Sequence, residues 1–240
     1  MTCENFYRKT HDANRNETKD KGMKAILLDA AGTLFDLAEP VGVTYARFGK
    51  RIGLTLNSCE VENNFRQGFQ SLASPNYQTS PDGEVVERNW WRELVRLATQ
   101  PEDETTLDAL FDPLFHYYED PSAWKLYPDT LPFLKEAQKD FRLGVLSNFD
   151  RRLFSILKGL GLSSFFEIVV SSSEARAQKP DGKIFQLAIE KLALPASETL
   201  HIGDSRKADY EGAQASGLRA IHLQREKGDI LSLNSVKALT

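Results

Sequence analysis

Cysteine is nearly absent: Cys3 and Cys59 are the only two in 240 residues. They have no metal-ligand spacing and cannot make a disulfide framework, which fits a reducing compartment. Long apolar runs are missing too. No stretch approaches the ~20 residues that span a bilayer, and the first residues lack the apolar segment of a secretory signal. Nor is there an excess of positive charge, since 30 Lys+Arg against 34 Asp+Glu leave a formal net charge of −4. No global field gathers nucleic acid or an anionic membrane surface. The expectation is a cytoplasmic protein whose partners are small molecules. With 41% hydrophobic and 27% charged residues the chain has an ordinary globular balance. Its length allows one large domain or a core carrying an insert.

Residues 1–22 are polar, mixed in charge and without apolar periodicity, so they cannot bury enough surface to offset ordering entropy, and a flexible tail is expected there. The first strong element is Ala25-Ile26-Leu27-Leu28, followed by Asp29. A short run that is apolar on both faces reads as a strand inside a covered parallel sheet. Similar runs stand at 141–146, 166–170, 199–202 and 218–223, with helical patterns at 130–139, 152–160, 184–192 and 208–216. That alternation predicts right-handed βαβ units and an α/β, doubly wound parallel sheet of Rossmann-like type. Residues 39–124 break the rhythm. Apolar residues at three- and four-residue spacing, such as Phe65, Phe69 and Leu72, predict about four helices and no strand. The stretch 73–83, with two prolines and a glycine, reads as loop. The expected organisation is a core of 23–38 and 125–240 with a helical cap, 39–124, inserted after the first strand. Hinges are expected near 36–40 and 124–129.

Open α/β sheets place their sites at the carboxyl ends of strands. Those ends carry Asp29, Ser147 with Asn148, Lys179 a short loop beyond the third strand, and Asp204 with Asp209. Taken singly each has a plain structural reading: an Asp after a strand forms turns, Ser147 and Asn148 can cap the next helix, and Lys179-Pro180-Asp181 can be a solvated turn. Together they form four segments in order, Asp-Ala-Ala-Gly-Thr-Leu-Phe-Asp (29–36), Leu-Ser-Asn (146–148), Gln-Lys-Pro-Asp (178–181) and Gly-Asp-Ser-Arg-Lys-Ala-Asp (203–209). In these motifs the sequence resembles the haloacid dehalogenase superfamily, in its phosphatase-like branch with a helical cap. The resemblance runs from Met23 to about Leu223.

It implies a nucleophile at Asp29. An aspartate there can attack a phosphoryl group to give an aspartyl-phosphate, splitting one hard displacement into two easier ones. A carboxylate approaching a phosphate dianion is repelled, so cations and donors must be at hand. Mg²⁺ fits, because it binds through one or two carboxylates and keeps several waters. The implied ligands are Asp29, Asp204 and the main-chain carbonyl of Ala31. Lys179 would hold nucleophile and phosphate together, Ser147 and the neighbouring backbone amides, that of Asn148 included, would bind phosphoryl oxygens, Asp209 would support Lys179 or the metal shell, and Thr33 would stabilise the turn.

One position departs from the family pattern. Phosphatases of this superfamily usually carry a second aspartate two residues after the first, as general acid and base, where this chain has Ala31. A methyl group cannot protonate a leaving alkoxide or activate water, and a positioned acid or base contributes about 10²–10⁴-fold. Three readings stay open: a slow Mg²⁺-dependent phosphatase of a small phosphomonoester, a phosphate- or metal-binding protein that has lost efficient turnover, and other chemistry of the superfamily. Phosphonoacetaldehyde hydrolases carry alanine there but need a cap lysine, for which only Lys50 and Lys125 are at hand. The 2-haloacid dehalogenases lack the Gly-Asp pair seen at Gly203-Asp204. Among the remaining polar and aromatic residues, His201 reads as a satisfied core histidine. Trp90, Trp91, Phe111 and Phe115 read as core packing, with one indole of the pair free to face the cleft.

Overall fold

The computed structural model describes residues 22–238, so the expected tail, Gly22 apart, lies outside the described residues. Strand β1 (Ala25–Leu28) leads into a short β2 (Phe35–Leu37) and then helices α1 (Val41–Arg51), α2 (Ser58–Ser71), α3 (Gly83–Thr99) and α4 (Glu104–Tyr117). The chain returns through β3 (Trp124–Leu126) to α5 (Thr130–Ala137), β4 (Arg142–Ser147), α6 (Arg152–Gly159), β5 (Ile168–Ser171), α7 (Ser172–Ala175) and α8 (Gly182–Leu192). Then come β6 (Thr199–Gly203), a π-helical turn over Arg206–Glu211 that continues as α9 (Gly212–Ala215), β7 (Arg219–His222) and α10 (Leu233–Lys237).

Five strands form one sheet in the order β5-β4-β1-β6-β7, with every pairing parallel. β1 is the centre because it is apolar on both faces. Ile26 and Leu28 pack into one hydrophobic cluster with Phe133, Leu153 and Leu157, while Ala25 and Leu27 pack into a second with Ile184, Phe185 and Ala188. Alternate side chains of one strand thus face two separate helical layers. Full burial of each leucine here contributes about 1.5–3 kcal/mol. From β1 the sheet grows first through β4 and β5 and then, on the other side, through β6 and β7, which makes the carboxyl end of β1 the switch point where such sheets open a crevice.

Helices α1 to α4 build a cap with its own core of Val41, Tyr45, Phe48, Val61, Val95, Leu107, Leu110 and Leu114. Asn57, Asp82 and Asp103 cap α2, α3 and α4 by accepting from backbone N–H groups, which fixes where those helices begin. The expectation of an entirely helical insert fails at its end. Trp124–Leu126 pairs antiparallel with Phe35–Leu37, giving a two-stranded ribbon in the two hinge regions. Three residues per strand are too few for alternation to register in sequence, and the pair is held by tertiary contact, the Phe35 and Trp124 rings meeting edge-on at 5.3 Å. Among the described residues no helix is long and apolar enough to cross a membrane.

Candidate functional site

Register places the site. Leu28 pairs with Val145 of β4 and with Ile202 of β6, so Asp29 stands level with Leu146 and Gly203, one residue short of Ser147 and Asp204. The Asp29 N–H donates to the Ile202 carbonyl at 2.9 Å, which anchors the turn that follows. Two glycines let carboxylates approach. A Cβ on Gly32, whose φ is +83°, would lie 2.6 Å from the Asp204 carboxylate, and one on Gly203 would lie 2.2 Å from Cγ of Asp209.

Lys179 is 5% exposed and lies at the centre. Its Nζ donates to Asp29 Oδ1 at 2.7 Å, Asp209 Oδ1 at 2.6 Å and the Leu146 carbonyl at 2.8 Å. All three ammonium donors are used, so the group is held in one place. Burial works against its charge, but Asp209 and Asp29 outweigh burial and hold the ammonium pKa above its ordinary value.

Asp209 accepts from Lys179, from Nε2 of His201 at 2.9 Å and, through Oδ2, from the Ser205 N–H at 2.9 Å. Burial alone would raise this carboxyl; Lys179 and His201 override it and hold Asp209 well below the usual carboxylate range. The wide π-helical turn carries Asp209 back toward the lysine, a use such turns often serve at sites. Its two oxygens are therefore committed to positioning, and of the two roles implied for it the support of Lys179 is the one its contacts fill.

Asp204 behaves differently. Solvent reaches it from one side, yet loss of hydration, followed by repulsion from Asp29 and Asp209, pushes its carboxyl up to about 7. Three carboxylates face one ammonium, and Asp204 carries the surplus. Carboxylate oxygens of Asp29, Asp204 and Asp209 lie within 4.8 Å of one another. With Asp209 committed, Asp29 and Asp204 are the free donors. The turn's hydrogen bonds use the carbonyls of Ala30 and Phe35, with Leu34 N–H to Ala30 at 2.7 Å and Gly32 N–H to Phe35 at 2.8 Å, and leave that of Ala31 unclaimed. A hard oxygen donor set with excess negative charge fits Mg²⁺.

Ser147 lies buried at the end of β4 and lines the same cavity as Asp29, Ala31, Lys179 and Asp204. Asn148 gains a second role through its side chain. Its side-chain Oδ1 accepts from the Lys179 N–H at 2.7 Å and its Nδ2 donates to the Lys179 carbonyl at 3.1 Å, so the side-chain amide fixes the lysine's backbone and leaves the implied phosphate contact to the main chain. Thr33 supports the turn and lies 3.4 Å from Asp204 Oδ1, a long and weak contact.

Sequence reasoning missed several lining residues. His201, behind the lining, is fully buried and bonded to Asp209, but its Nδ1 has no partner among the described residues, so it is not a fully satisfied core group. The core-packing reading holds for Phe111, buried in the cap core with Trp91 and Phe115 packed against it, and these three with Trp90 also line the cavity, both indoles included. A helix stripe looks the same in sequence whether it faces a core or a cavity. Arg152, 4% exposed, is clamped by Asp150 at 2.8 and 2.6 Å and lies against Phe115, 3.7 Å from its ring centre. Glu87 of α3 is 2% exposed and accepts from the hydroxyls of Tyr77 and Ser172, linking cap to core; burial raises its carboxyl.

Comparison with known proteins identifies the family. The family model for haloacid dehalogenase-like hydrolases matches residues 23–217. The Danio rerio haloacid dehalogenase-like hydrolase domain-containing protein 3 is 36% identical over 211 residues, covering 85% of this chain and 86% of that protein. A HAD phosphatase from Thermococcus onnurineus aligns with a TM-score of 0.63 at 24% identity, covering 90% of this chain and 97% of the other. A 2-haloacid dehalogenase from Pseudomonas syringae aligns with a TM-score of 0.57 at 22% identity, covering 85% and 87%. The two solved structures share the fold and bear different activities, so fold alone does not choose the reaction.

Proposed function

This chain belongs to the haloacid dehalogenase-like hydrolases, and on that footing we propose that it is a Mg²⁺-dependent phosphohydrolase that cleaves a small phosphomonoester through an aspartyl-phosphate on Asp29. The observation that carries the reading is the charge imbalance: Asp29, Asp204 and Asp209 face the single ammonium of Lys179, and Asp204 is pushed up to about 7 by lost hydration and by its neighbours. Displacement of a halide needs no such surplus, whereas a bound divalent cation neutralises it.

Asp29, Asp204 and the Ala31 carbonyl would hold the ion. When bound, Mg²⁺ supplies charge neutralisation for phosphoryl oxygens beside a carboxylate. The rest falls to the chain. Lys179 fixes one oxygen of Asp29 and brings a protonated ammonium against the incoming phosphate. Asp209 and Asn148 keep that lysine in place from its two ends, and Ser147 offers a hydroxyl at the phosphate end of the cavity. Asp29 attacks phosphorus, the ester oxygen leaves, and water later cleaves the acyl phosphate. Ala31 moves no proton in either step.

Ala31 also favours a second reading, in which the protein binds phosphate and metal but does not turn over efficiently. A time course of phenol release from phenyl phosphate at enzyme concentrations that resolve one turnover separates the two. We expect a Mg²⁺-dependent burst followed by slow steady release, absent in Asp29→Asn. Bound phosphate without a burst would favour the binding protein, and release independent of Asp29 would overturn the assigned nucleophile.

A further inference from the structure

The cavity above Asp29 has a volume of about 550 Å³, within the usual range for small-molecule sites, and its two ends differ in kind. One end is the charged cluster. The other is walled by rings, including Tyr45, Phe65, Trp90, Trp91 and Phe115 of the cap and Phe149 of the core. The rings meet edge-on, Trp90 with Trp91 at 5.0 Å and Tyr45 with Phe65 at 6.0 Å, in the arrangement aromatic pairs prefer.

Polar groups along this wall are largely occupied by one another. Arg152 is neutralised by Asp150 and stacked on Phe115, Glu87 is taken by Tyr77 and Ser172, and Trp90 Nε1 donates to the Ala73 carbonyl at 2.8 Å. Trp91 Nε1 and the Tyr118 hydroxyl are buried within the wall and do not face the cavity. Set against these rings, the hydroxyls of a sugar would lose water without replacement.

A second observation points the same way. Ala31 supplies no proton to the leaving oxygen. An alcohol, with a pKa comparable to the ~15.7 of water, leaves poorly as the bare anion, whereas a phenol, with a pKa near ~10, leaves far more easily.

We propose that the cavity takes the leaving group of an aryl phosphate, a phenol esterified to phosphate and free of sugar hydroxyls. This rests on the phosphohydrolase reading and narrows it. The Asp29 oxygen–phosphorus bond forms as the phosphorus–aryl oxygen bond breaks, the bonding pair departs on the phenolate, and solvent protonates the phenolate. Water then attacks phosphorus, giving inorganic phosphate and restoring Asp29, with the water's protons shared between phosphate and solvent.

The test uses the whole protein with Mg²⁺ and three substrates: acetyl phosphate, phenyl phosphate and hexyl phosphate. We expect kcat/KM on phenyl phosphate to exceed that on hexyl phosphate by at least ~100-fold. Binding is read separately with phosphonates, whose carbon–phosphorus bond is not cleaved. All three tryptophans, Trp90, Trp91 and Trp124, line the cavity, so intrinsic fluorescence reports its occupancy. Phenylphosphonate should bind at least ~10-fold more tightly than methylphosphonate. Equal affinity for the two phosphonates would overturn the proposal even if phenyl phosphate were hydrolysed fastest, since leaving-group chemistry alone would then explain the rate. Turnover of acetyl phosphate with no preference for phenyl over hexyl phosphate would also overturn it, while leaving the phosphohydrolase reading intact. Inertness toward all three substrates would bring down both.

Discussion

Two buried cations line one cavity, Lys179 at 5% exposure and Arg152 at 4%, and their settings are opposites. Arg152 forms a closed pair: Asp150 takes two of its donors, the charges cancel, and rings cover its faces. Lys179 sits in an open network. It binds Asp29 and Asp209, and Asp204 beside them makes no ion pair among the described residues. Burial of charge is common to both, so burial alone does not mark chemistry. An imbalance of charge that faces the cavity does, because it leaves room for a ligand to complete it. The closed pair shapes the wall where the substrate's organic part would lie; the open network is where bonds would change.

The largest expected effect comes from removing each cation. Lys179→Met and Arg152→Met each strand a buried carboxylate, and both should lose ~3–5 kcal/mol of stability in urea unfolding at pH 7. The second substitutions separate them. Adding Asp150→Asn to Arg152→Met removes the stranded charge and keeps an acceptor for the Arg152 backbone N–H, so most of the loss should return. Adding Asp209→Asn to Lys179→Met leaves Asp29 buried without its cation, and little should return. Equal recovery in both double variants would erase the distinction between closed and open.

Much of the open network was legible in the sequence. Asp29, Lys179, Asp204 and Asp209 stand at strand ends or just beyond them, and parallel register brings strand ends together whatever the loops between them do. The closed pair was not legible. Asp150 and Arg152 look like ordinary charges at a helix start, and the rings of α3 and α4, folded over from a distant part of the chain, help to bury them. The motif that holds Asn148 points to phosphate and says nothing of its side chain, whose partners are the backbone groups of Lys179, 31 residues away. Residue type and order carry the chemistry of a strand end. They do not carry which way a side chain turns once a loop from elsewhere arrives.

Adding a proton donor to the open network sharpens the contrast next. Ala31 is half-buried at the cavity wall, so Ala31→Asp places a carboxyl beside the ester oxygen without disturbing the sheet core. Turnover of hexyl phosphate should rise by ~10²-fold or more, and that of phenyl phosphate by clearly less, because only the alkoxide needs the proton. The readout is kcat on each substrate in the same preparation. An equal gain on both would mean that something other than leaving-group protonation limits the native enzyme.

The smallest effect belongs to Glu87, a third kind of buried charge, with hydroxyl donors and no cation. Tyr77 and Ser172 donate to it, yet burial outweighs them and raises its carboxyl above the ordinary value. Because the folded-state pKa is the higher one, the folded protein holds the proton more tightly than the unfolded chain. The stability this contributes is complete below the unfolded value of about 4.3 and is lost as pH rises through the folded value. Glu87→Gln keeps an oxygen for both hydroxyls and cannot ionise. The variant should match the native protein at pH 4 and become the more stable one by pH 7, by on the order of 1 kcal/mol, as read from urea midpoints at a series of pH values. A variant that is less stable at pH 7 would show that the ionised Glu87 is stabilised where it lies, and the α3 contact would then join the closed pair as a satisfied charge.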